Sequence, residues 1–540
     1  MNPHSASFSS ALRTLAFLTF TLSLSAAEPA SFLKTAKRIV FLGDSITNDG
    51  RYISVIETRL RQEGINPLPE MLNLGLPSEG CTGLTEPGHP FPRPNVHERL
   101  DRVLAKTHPD VVVACYGIND GIYHPFSEER FAAFRSGMLD LVDKVNRSGA
   151  MLVLITPPPF DPLPMAKQGK LAKIDAPKFA WTDIYEGYDS EVLARYADWV
   201  STLYEPVEMV IDWHGPVNAH LAKQRETNAD YVMSGDGIHV DEVGQTLLAE
   251  PILQSWGFPA GSSQVNQDLY ALVNERQQLL HSAWMTHTGH TRPGVQAGLP
   301  IDKATIAAAE IESRIDAFIA SHHRGSDNFE SLVEKIPATE QPQRLFNGFN
   351  LSGWNGDSNY WSAADGMIHC ANTNKVPSST YLFTKNSYRN FRLLLEVKQT
   401  MSPKHSTMHS AVAALGEQIE DAGDNPFGFR GPLLMFCHDW GIWDAHRRNR
   451  IEPAGHPTTL NIDAEKQGDW NLVEFLATGD RIRCAANGVE VFDFTDAPGM
   501  LKASPIGLQL HANGQPQEFY FRGLVLCAEP GDELVSVMKH

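Results

Sequence analysis

Two segments that lie far apart in the chain contain a serine, an aspartate and a histidine, the residue types that nucleophilic catalysis requires. Gly43-Asp44-Ser45 directly follows an apolar run, so the Ser45 hydroxyl is expected at a strand-to-helix turn. Gly235-Asp236-Gly237-Ile238-His239 places an imidazole three residues after a carboxylate. Ser45 alone would also fit a helix N-cap. A hydroxyl becomes nucleophilic when an imidazole accepts its proton and a carboxylate fixes the tautomer, so the residues together predict a Ser45–His239–Asp236 triad.

The same chemistry needs hydrogen-bond donors at the oxygen of the tetrahedral intermediate. Asn119 follows another apolar run, and Gly75 ends the segment Asn73-Leu74-Gly75. We predict an oxyanion hole formed by the backbone amides of Ser45 and Gly75 and the side chain of Asn119. One such donor is typically worth about 3 kcal/mol of the barrier, so Asn119 should matter almost as much as the triad.

Other residues whose types could serve in catalysis or metal binding are predicted to have structural roles. We expect Asp44 to bond turn amides and Asp120 to order its own loop. The proline-rich segment 87–94 is either a wall of the substrate cleft or a stiff surface loop. His281, His287 and His290 lack a carboxylate or cysteine that would complete a metal site, so no metal and no cofactor is predicted.

Apolar runs separated by amphipathic stretches must position these residues. The runs do not alternate with polar residues, which favours strands buried on both faces: a parallel sheet between two helical layers, an α/β three-layer domain. The predicted strands are 39–42, 71–74, 111–116, 151–156 and 207–212. The predicted helices are 52–62, 96–106, 128–146, 183–204 and 242–256. The site is expected beyond the carboxyl ends of the strands.

The 540 residues predict more than one domain, because a domain averages about 150 residues. A charged start, a short apolar run and small residues before Glu28 predict a cleaved signal peptide at residues 1–27, with an uncleaved anchor as the alternative. We predict the α/β domain at 28–258, a helical extension at 259–325, a polar linker at 326–343 and a second domain at 344–530. The mature protein is expected to be secreted or periplasmic, with no membrane contact.

The net charge of −19 argues against nucleic acid as a partner. It also makes a strongly anionic polymer an awkward substrate unless a local basic patch offsets the field. The six cysteines show no CxxC pair, so buried free thiols are expected for most of them. The oligomeric state and any disulfide pairing stay open.

Residues after 344 form short β-rich runs with turn signals, which predicts an antiparallel two-sheet sandwich. Asn487-Gly488 lies between two of these runs and predicts a tight hairpin. The segment 440–450 combines aromatic, acidic and basic residues in a stretch that resembles a loop. We expect Trp443 and Arg447 to face a glycan there, because aromatic faces suit sugar C–H surfaces.

The four ordered segments around Ser45, Gly75, Asn119 and Asp236–His239 resemble those of the SGNH, or GDSL-like, hydrolase superfamily. The resemblance covers residues 37 to about 258. It implies a flavodoxin-like three-layer fold and esterase chemistry, with these residues in their family roles. Within the superfamily, the chain is most similar to the carbohydrate O-deacetylases.

The second domain resembles the 3-keto-disaccharide hydrolase family, which has a concanavalin-like sandwich. Three segments carry this resemblance: Leu345-Phe346-Asn347-Gly348, Gly468-Asp469-Trp470-Asn471 and Pro505-Ile506-Gly507-Leu508. The middle of the domain departs from the family pattern at His409-Ser410-Ala411-Val412 and at Leu433–Asp439, which puts a glycosidase activity in question.

These observations lead us to expect an exported serine esterase that removes O-acyl groups, acetyl in particular, from a polysaccharide or oligosaccharide. The second domain would bind the glycan or act as an accessory. One alternative is a bifunctional enzyme whose second domain is an active glycoside hydrolase or lyase. Another is a non-catalytic glycan-binding protein with a vestigial hydrolase fold.

Overall fold

A computed structural model of the chain provides the three-dimensional structure. It describes residues 30–205, 207–259, 264–400, 411–421, 425–435, 442–445, 449–450, 464, 466–512 and 514–537. The predicted signal peptide lies outside the described residues, and so do residues 440, 441 and 446–448, which include Arg447.

The N-terminal domain is built on a five-stranded parallel sheet with the strand order β2-β1-β3-β4-β7. The strands of this domain are β1 Arg38–Gly43, β2 Glu70–Asn73, β3 Val111–Cys115, β4 Met151–Ile155, β5 Leu171–Ala172, β6 Ile184–Tyr185 and β7 Met209–Ile211. The short strands β5 and β6 pair separately. All five residues of β3 are buried. The prediction of a parallel sheet made from continuous apolar runs is confirmed.

Helices connect and cover these strands. They are α1 Ser45–Asp49, α2 Arg51–Gln62, α3 Leu100–Thr107, α4 Glu128–Ser148, α5 Pro162–Lys167, α6 Ala194–Val200, α7 His214–Arg225, α8 Glu242–Ser255, α9 Gln267–Thr288 and α10 Ile301–His323. Short 3-10 turns lie at Ser31–Lys34 and Val96–Glu98, and a π-helix at Tyr188–Leu193. No described helix has the length and apolar character needed to span a bilayer.

Two helical predictions were wrong in detail. The stretch 183–204, predicted as one helix, contains β6, the π-helix and α6, and Gly187 separates the strand from the helices. Helix α7 was not predicted, because it opens with His214-Gly215-Pro216 and buries only Val217 and Leu221. A helix with so few buried apolar positions shows little periodicity.

Helices α9 and α10 form the predicted extension and pack on the α/β domain. Glu57 of α2, whose side chain is 1% exposed, pairs with Arg61 at 2.7 Å and with Arg276 of α9 at 3.4 Å. Gln277 donates to the Met71 carbonyl of β2 at 3.1 Å. Arg61 also reaches Glu312 of α10 at 2.7 Å. These ion pairs therefore hold α9 and α10 against α2.

The stretch 326–343, predicted as a linker, is structured. It contains α11 Asp327–Val333, a 3-10 turn at Ala338–Glu340 and the start of β8 Gln343–Arg344. The Ser326 hydroxyl caps α11 by accepting from the Phe329 amide at 3.3 Å, and Phe329 is buried against Leu394 and Val525 of the second domain. Val333 and Ile336 belong to the same cluster, but the polar residues and two prolines around these few apolar positions favoured a linker in the sequence prediction, which missed this packing.

The second domain is a sandwich of antiparallel sheets, as predicted. Its described strands are β8, β9 Trp354–Asn355, β10 Trp361–Ala364, β11 Met367–Asn372, β12 Thr380–Tyr388, β13 Phe391–Gln399, β14 Ala411–Ala413, β15 Glu417–Asp421, β16 Asn425–Met435, β17 Ile442–Ala445, β18 Asn449–Arg450, β19 Asn471–Thr478, β20 Arg481–Ala486, β21 Val489–Thr495, β22 Ser504–Leu510 and β23 Gln517–Ala528. One sheet has the order β10-β11-β23-β13-β19-β20-β21 with β8 beside β23. The other has the order β18-β17-β16-β14-β22-β12-β9 with β15 beside β16.

Several local predictions for this domain can be compared with the structure. Asn487 and Gly488 join β20 to β21 with φ values of 50° and 87°, so the predicted hairpin is confirmed. Trp443 does not lie in a loop: its backbone is part of β17 and pairs with Leu433 of β16. Nothing is described of its side chain, so its role toward a glycan stays a prediction.

The free-thiol prediction is confirmed for the part of the chain that the structure describes. The buried free cysteines are Cys81, Cys115, Cys370, Cys484 and Cys527.

Candidate active site

Ser45 is the first residue of α1 and lies immediately beyond the carboxyl end of β1. Strands β2 and β3 flank β1 on opposite sides, so the chain leaves β1 at the point where the strand order reverses. Ligands of open parallel sheets bind at such points. Asp44 is the N-cap of α1 and its carboxylate accepts from the Ile46 amide at 2.9 Å, which is the structural role predicted for it.

The structure brings the predicted triad together. His239 Nε2 lies 2.7 Å from Ser45 Oγ, and His239 Nδ1 lies 2.7 Å from Asp236 Oδ2. The other carboxylate oxygen of Asp236 accepts from the backbone amides of Ile238 and His239 at 2.9 Å each and from Ser234 Oγ at 2.8 Å. Because the carboxylate accepts the Nδ1 proton, the lone pair of Nε2 faces the Ser45 hydroxyl. This arrangement can remove the hydroxyl proton during attack on a carbonyl carbon.

The turn that holds the histidine depends on Gly237. Its φ is 78°, and a Cβ there would stand 2.1 Å from the Asp161 carbonyl oxygen. Asp161 N in turn donates to the Gly237 carbonyl at 2.9 Å. Only glycine combines this backbone conformation with so close an approach.

Electrostatics in the site favour proton transfer to His239. The hydrogen bond that His239 donates to Asp236 raises the pKa of His239 above its usual value, and burial only partly opposes it. Burial alone would raise the pKa of Asp236, but the hydrogen bonds from His239 and nearby backbone amides outweigh it and hold that pKa well below the usual range. Burial raises the pKa of Asp44 to about 7, against the opposing bond from the Ile46 amide. Asp236 therefore stays ionised while His239 changes charge.

Asn119 follows β3 and is locked in one orientation. Its carbonyl Oδ1 accepts from Arg93 Nη1 and from the Tyr123 hydroxyl, both at 2.8 Å. Its Nδ2 donates to the Glu79 carbonyl at 3.0 Å. One hydrogen of the Asn119 amide group is thus engaged and the second can point into the cavity that holds Ser45. This geometry fits the predicted donor role, as does the Ser45 amide, which as the first residue of a helix has no intrahelical partner.

Gly75 does not fit the role predicted for it. Its amide donates to Asn73 Oδ1 at 2.9 Å. A Cβ at Gly75 would lie 2.3 Å from the Asn48 amide nitrogen and 2.5 Å from the Thr47 carbonyl carbon, so Gly75 allows β2 to approach α1. Glycine is therefore needed at this position for close packing and not to supply a free amide.

Ser78 takes the place expected for Gly75. It lines the same cavity as Ser45 and Asn119 and has a φ of 68°, which is strained for a residue other than glycine. In the described part of the chain its amide has no hydrogen-bond partner. We therefore assign the second backbone donor to Ser78. No local sequence pattern predicts that Ser78 has a positive φ.

The sequence pattern predicted no role for Arg93, which lies in the proline-rich segment 87–94. The structure shows that this segment walls the cavity through His89, Pro90, Phe91 and Arg93. Arg93 is 6% exposed and makes a bidentate pair with Glu86, with both N···O distances 2.6 Å. Its Nη1 also donates to the Ser78 carbonyl at 3.3 Å. One side chain thus contacts both residues to which we assign donors.

The cavity has a volume of about 440 Å³, enough for an acylated sugar unit. Trp181, which is 51% exposed, lines it together with Lys170 and Arg292. Asp120 accepts from the amides of Cys81 and Thr82 at 2.8 and 3.0 Å, so its role is structural, but it orders a neighbouring loop and not its own loop as predicted.

A serine–histidine–aspartate relay beyond the carboxyl edge of a parallel α/β sheet defines the class of the serine hydrolases. Comparison with known families specifies the class further. Residues 41–247 match the GDSL-like Lipase/Acylhydrolase family, and residues 341–526 match the 3-keto-alpha-glucoside-1,2-lyase-like domain. These matches confirm both resemblances found in the sequence.

The chain is also similar in part to solved structures. A gut microbial diltiazem-metabolizing enzyme is 19% identical at a TM-score of 0.32, over 42% of this chain and 48% of that one. An acetylxylan esterase from Geobacillus stearothermophilus is 18% identical at a TM-score of 0.27, over 41% of this chain and 95% of that one. A carbohydrate binding module from Bacillus subtilis is 11% identical at a TM-score of 0.24, over 33% and 96%. No curated protein matches the chain.

Proposed function

We propose that this protein is an exported serine esterase that hydrolyses O-acyl esters, O-acetyl esters in particular, on a polysaccharide or oligosaccharide. The observation that carries the proposal is the continuous relay from Asp236 through His239 to Ser45 Oγ at the edge of an open cavity. The match of residues 41–247 to an acylhydrolase family supports it.

The geometry suits a two-step acyl transfer. His239 Nε2 takes the Ser45 proton as Oγ attacks the ester carbonyl, and the imidazolium then protonates the leaving sugar oxygen, which departs as a hydroxyl when its bond to the acyl carbon breaks. The developing oxyanion would accept from the Ser45 amide, the Ser78 amide and the Asn119 side chain. Water, activated by the same histidine, releases the acid and restores Ser45.

Two features support a sugar as the alcohol part of the ester. The second domain matches a family whose description names a glucoside. Trp181 offers a half-exposed aromatic face at the cavity, and such faces pack against sugar C–H surfaces.

The proposal is tested by replacing Ser45 with alanine. We expect a loss of roughly 10⁴-fold or more in the hydrolysis of p-nitrophenyl acetate and of acetylated xylan, because no other group can take over the attack. Ser313→Ala, at an exposed position on α10, is the matched control and should leave both rates unchanged. Full activity of a folded Ser45→Ala protein would refute the proposal.

Export is part of the proposal and rests on the pattern of residues 1–27. Expression of the full chain in a bacterial host, followed by N-terminal sequencing of the protein from the periplasm or medium, checks it. The mature protein should begin near Glu28, whereas retention of the first residues on membrane-bound protein would indicate an uncleaved anchor.

A second activity in the sandwich domain is the other candidate, favoured by the match of residues 341–526 to a lyase-like family. The full-length Ser45→Ala protein separates the two activities, because it keeps the second domain intact. Release of sugar without acetate from a glycan by this variant would establish a bifunctional enzyme. No release of sugar would restrict the second domain to binding or support.

A further inference from the structure

Two cations in the cavity beside Ser45 have no carboxylate partner. Lys170 and Arg292 both line the cavity, and in the described part of the chain neither has a carboxylate within ion-pair distance. Lys170 Nζ donates to the Gln168 side-chain oxygen at 2.8 Å, and Arg292 Nη1 donates to the Pro293 carbonyl at 3.0 Å. The positive charges therefore remain available to a ligand.

Of the other charged groups that line the cavity, Arg93 is paired with Glu86, and Asp236 keeps its negative charge behind the neutral imidazole of His239. The positive charges of Lys170 and Arg292 outnumber this one carboxylate, in a chain whose net charge is −19. A local positive field in an acidic protein attracts anions specifically to that place.

Arg292 is held in position before any ligand arrives. Its guanidinium lies 5.0 Å from the centre of the Phe91 ring, and Phe91 lines the same cavity. Its Nε is shielded from solvent and has no hydrogen-bond partner in the described part of the chain. Burial without a counter-charge lowers the pKa of Arg292, a cost that a bound anion would offset. Arg292 lies in the segment between α9 and α10.

We propose that the cavity selects an ester on an acidic glycan, with Arg292 and Lys170 binding a carboxylate or sulfate group of the sugar while Ser45 attacks the neighbouring acyl ester. This inference rests on the proposed esterase function and names its substrate class. The planar guanidinium of Arg292 suits bidentate recognition of either group, and Lys170 contributes a more mobile point charge at the exposed rim.

Acetate release from three acetylated oligosaccharides tests the inference: a neutral xylo-oligosaccharide, a carboxylate-bearing galacturonan oligosaccharide and a sulfated galactan oligosaccharide. We expect the native protein to favour at least one anionic substrate in kcat/KM. Arg292→Gln and Lys170→Gln should each lower the ratio of anionic to neutral kcat/KM by roughly 10-fold, since a hydrogen bond to a charged group is worth about that much. Lys303→Gln, at an exposed position on α10, is the matched control and should keep the native ratio.

Salt provides an independent check. Raising NaCl from about 20 mM to about 500 mM should lower the ratio of anionic to neutral kcat/KM in the native protein, because salt screens the charges of Arg292 and Lys170. In the double variant Arg292→Gln/Lys170→Gln, which lacks both charges, the ratio should change little. The inference would be overturned if the neutral substrate were hydrolysed as fast as both anionic substrates. It would also be overturned if neither Arg292→Gln nor Lys170→Gln changed the ratio of anionic to neutral kcat/KM. Comparison of the galacturonan and sulfated galactan oligosaccharides shows whether the site prefers a carboxylate or a sulfate group.

A binding measurement keeps this inference separate from the esterase proposal. Calorimetric titration of the Ser45→Ala protein with the galacturonan and sulfated oligosaccharides needs no turnover. Binding that weakens on Arg292→Gln would support the anion site even if no ester were cleaved. Binding of neither anionic oligosaccharide would refute the site even if p-nitrophenyl acetate were hydrolysed normally.

Discussion

Replacement of Arg93 by methionine should slow the chemical step although Arg93 touches neither the nucleophile nor its base. Arg93 Nη1 supplies one of the two hydrogen bonds, each 2.8 Å, that orient the Asn119 carbonyl, and the Tyr123 hydroxyl supplies the other. Loss of a whole oxyanion donor costs about 3 kcal/mol, which sets the upper limit. Because Tyr123 still holds Asn119, we expect kcat to fall roughly 10- to 100-fold, with KM little changed.

The same substitution also affects folding, and the two effects must be separated. Glu86 is fully buried and pairs with Arg93, so methionine would leave an uncompensated carboxylate at a cost of about 3–5 kcal/mol. Burial raises the pKa of Glu86, whereas the hydrogen bonds and charge of Arg93 at present hold that pKa below its usual value. Without Arg93 the folded-state pKa would rise above the unfolded value. The variant's stability deficit should therefore be smallest in acid and grow as pH rises through that pKa.

The double variant Glu86→Gln/Arg93→Met removes the uncompensated carboxylate of Glu86, so that the effect on kcat can be measured apart from the loss of stability. Stopped-flow hydrolysis of p-nitrophenyl acetate gives kcat and KM, and thermal unfolding verifies the fold. Arg389→Met, which breaks the Arg389–Asp480 pair of the sandwich domain, controls for the loss of an ion pair elsewhere. A well-folded double variant with native kcat would refute the positioning role of Arg93, and so would a fall confined to KM.

Two further outcomes follow from the site geometry. Asp236→Asn should lower kcat by roughly 10⁴-fold. It should also move the acidic limb of the pH profile of kcat/KM to lower pH, because the carboxylate that raises the pKa of His239 is gone; an upward shift would contradict the assignment. Gly75→Ala should destabilise the protein by about 1–3 kcal/mol in chemical denaturation, because its Cβ would overlap the Asn48 backbone. Gly514→Ala, whose Cβ would meet nothing within 4 Å, is the control, and equal stability of the two variants would show that β2 and α1 pack less closely than described.

The sequence alone was sufficient for the features that depend on neighbouring residues. Continuous apolar runs predicted the strands of the parallel sheet, because residues buried on both faces leave no polar alternation. Asn487-Gly488 predicted the hairpin, since both residues tolerate positive φ. The order of Ser45, Asn119, Asp236 and His239 along the chain was enough to predict a triad and one oxyanion donor, because strand ends of a parallel sheet meet at one edge.

Some predictions failed where a residue's partner lies far away in the chain. Gly75 was predicted as a donor from its segment, but its amide is used by Asn73 and its small size is needed beside α1. Phe329 anchors a stretch that looked like a linker, through contacts with strands that follow it in the sequence. In both cases the local composition contains no information about the packing partner.

The sequence by itself therefore determined the class of fold and the catalytic groups, because periodicity and short turns express local energetics directly. Only the tertiary structure decided which backbone amide is free, as at Ser78, and which side chain orients the donors, as at Arg93. It also decided that Lys170 and Arg292 meet at one cavity without a counter-charge. Free amides and unpaired charges are properties of the complete set of long-range contacts, which no short segment specifies.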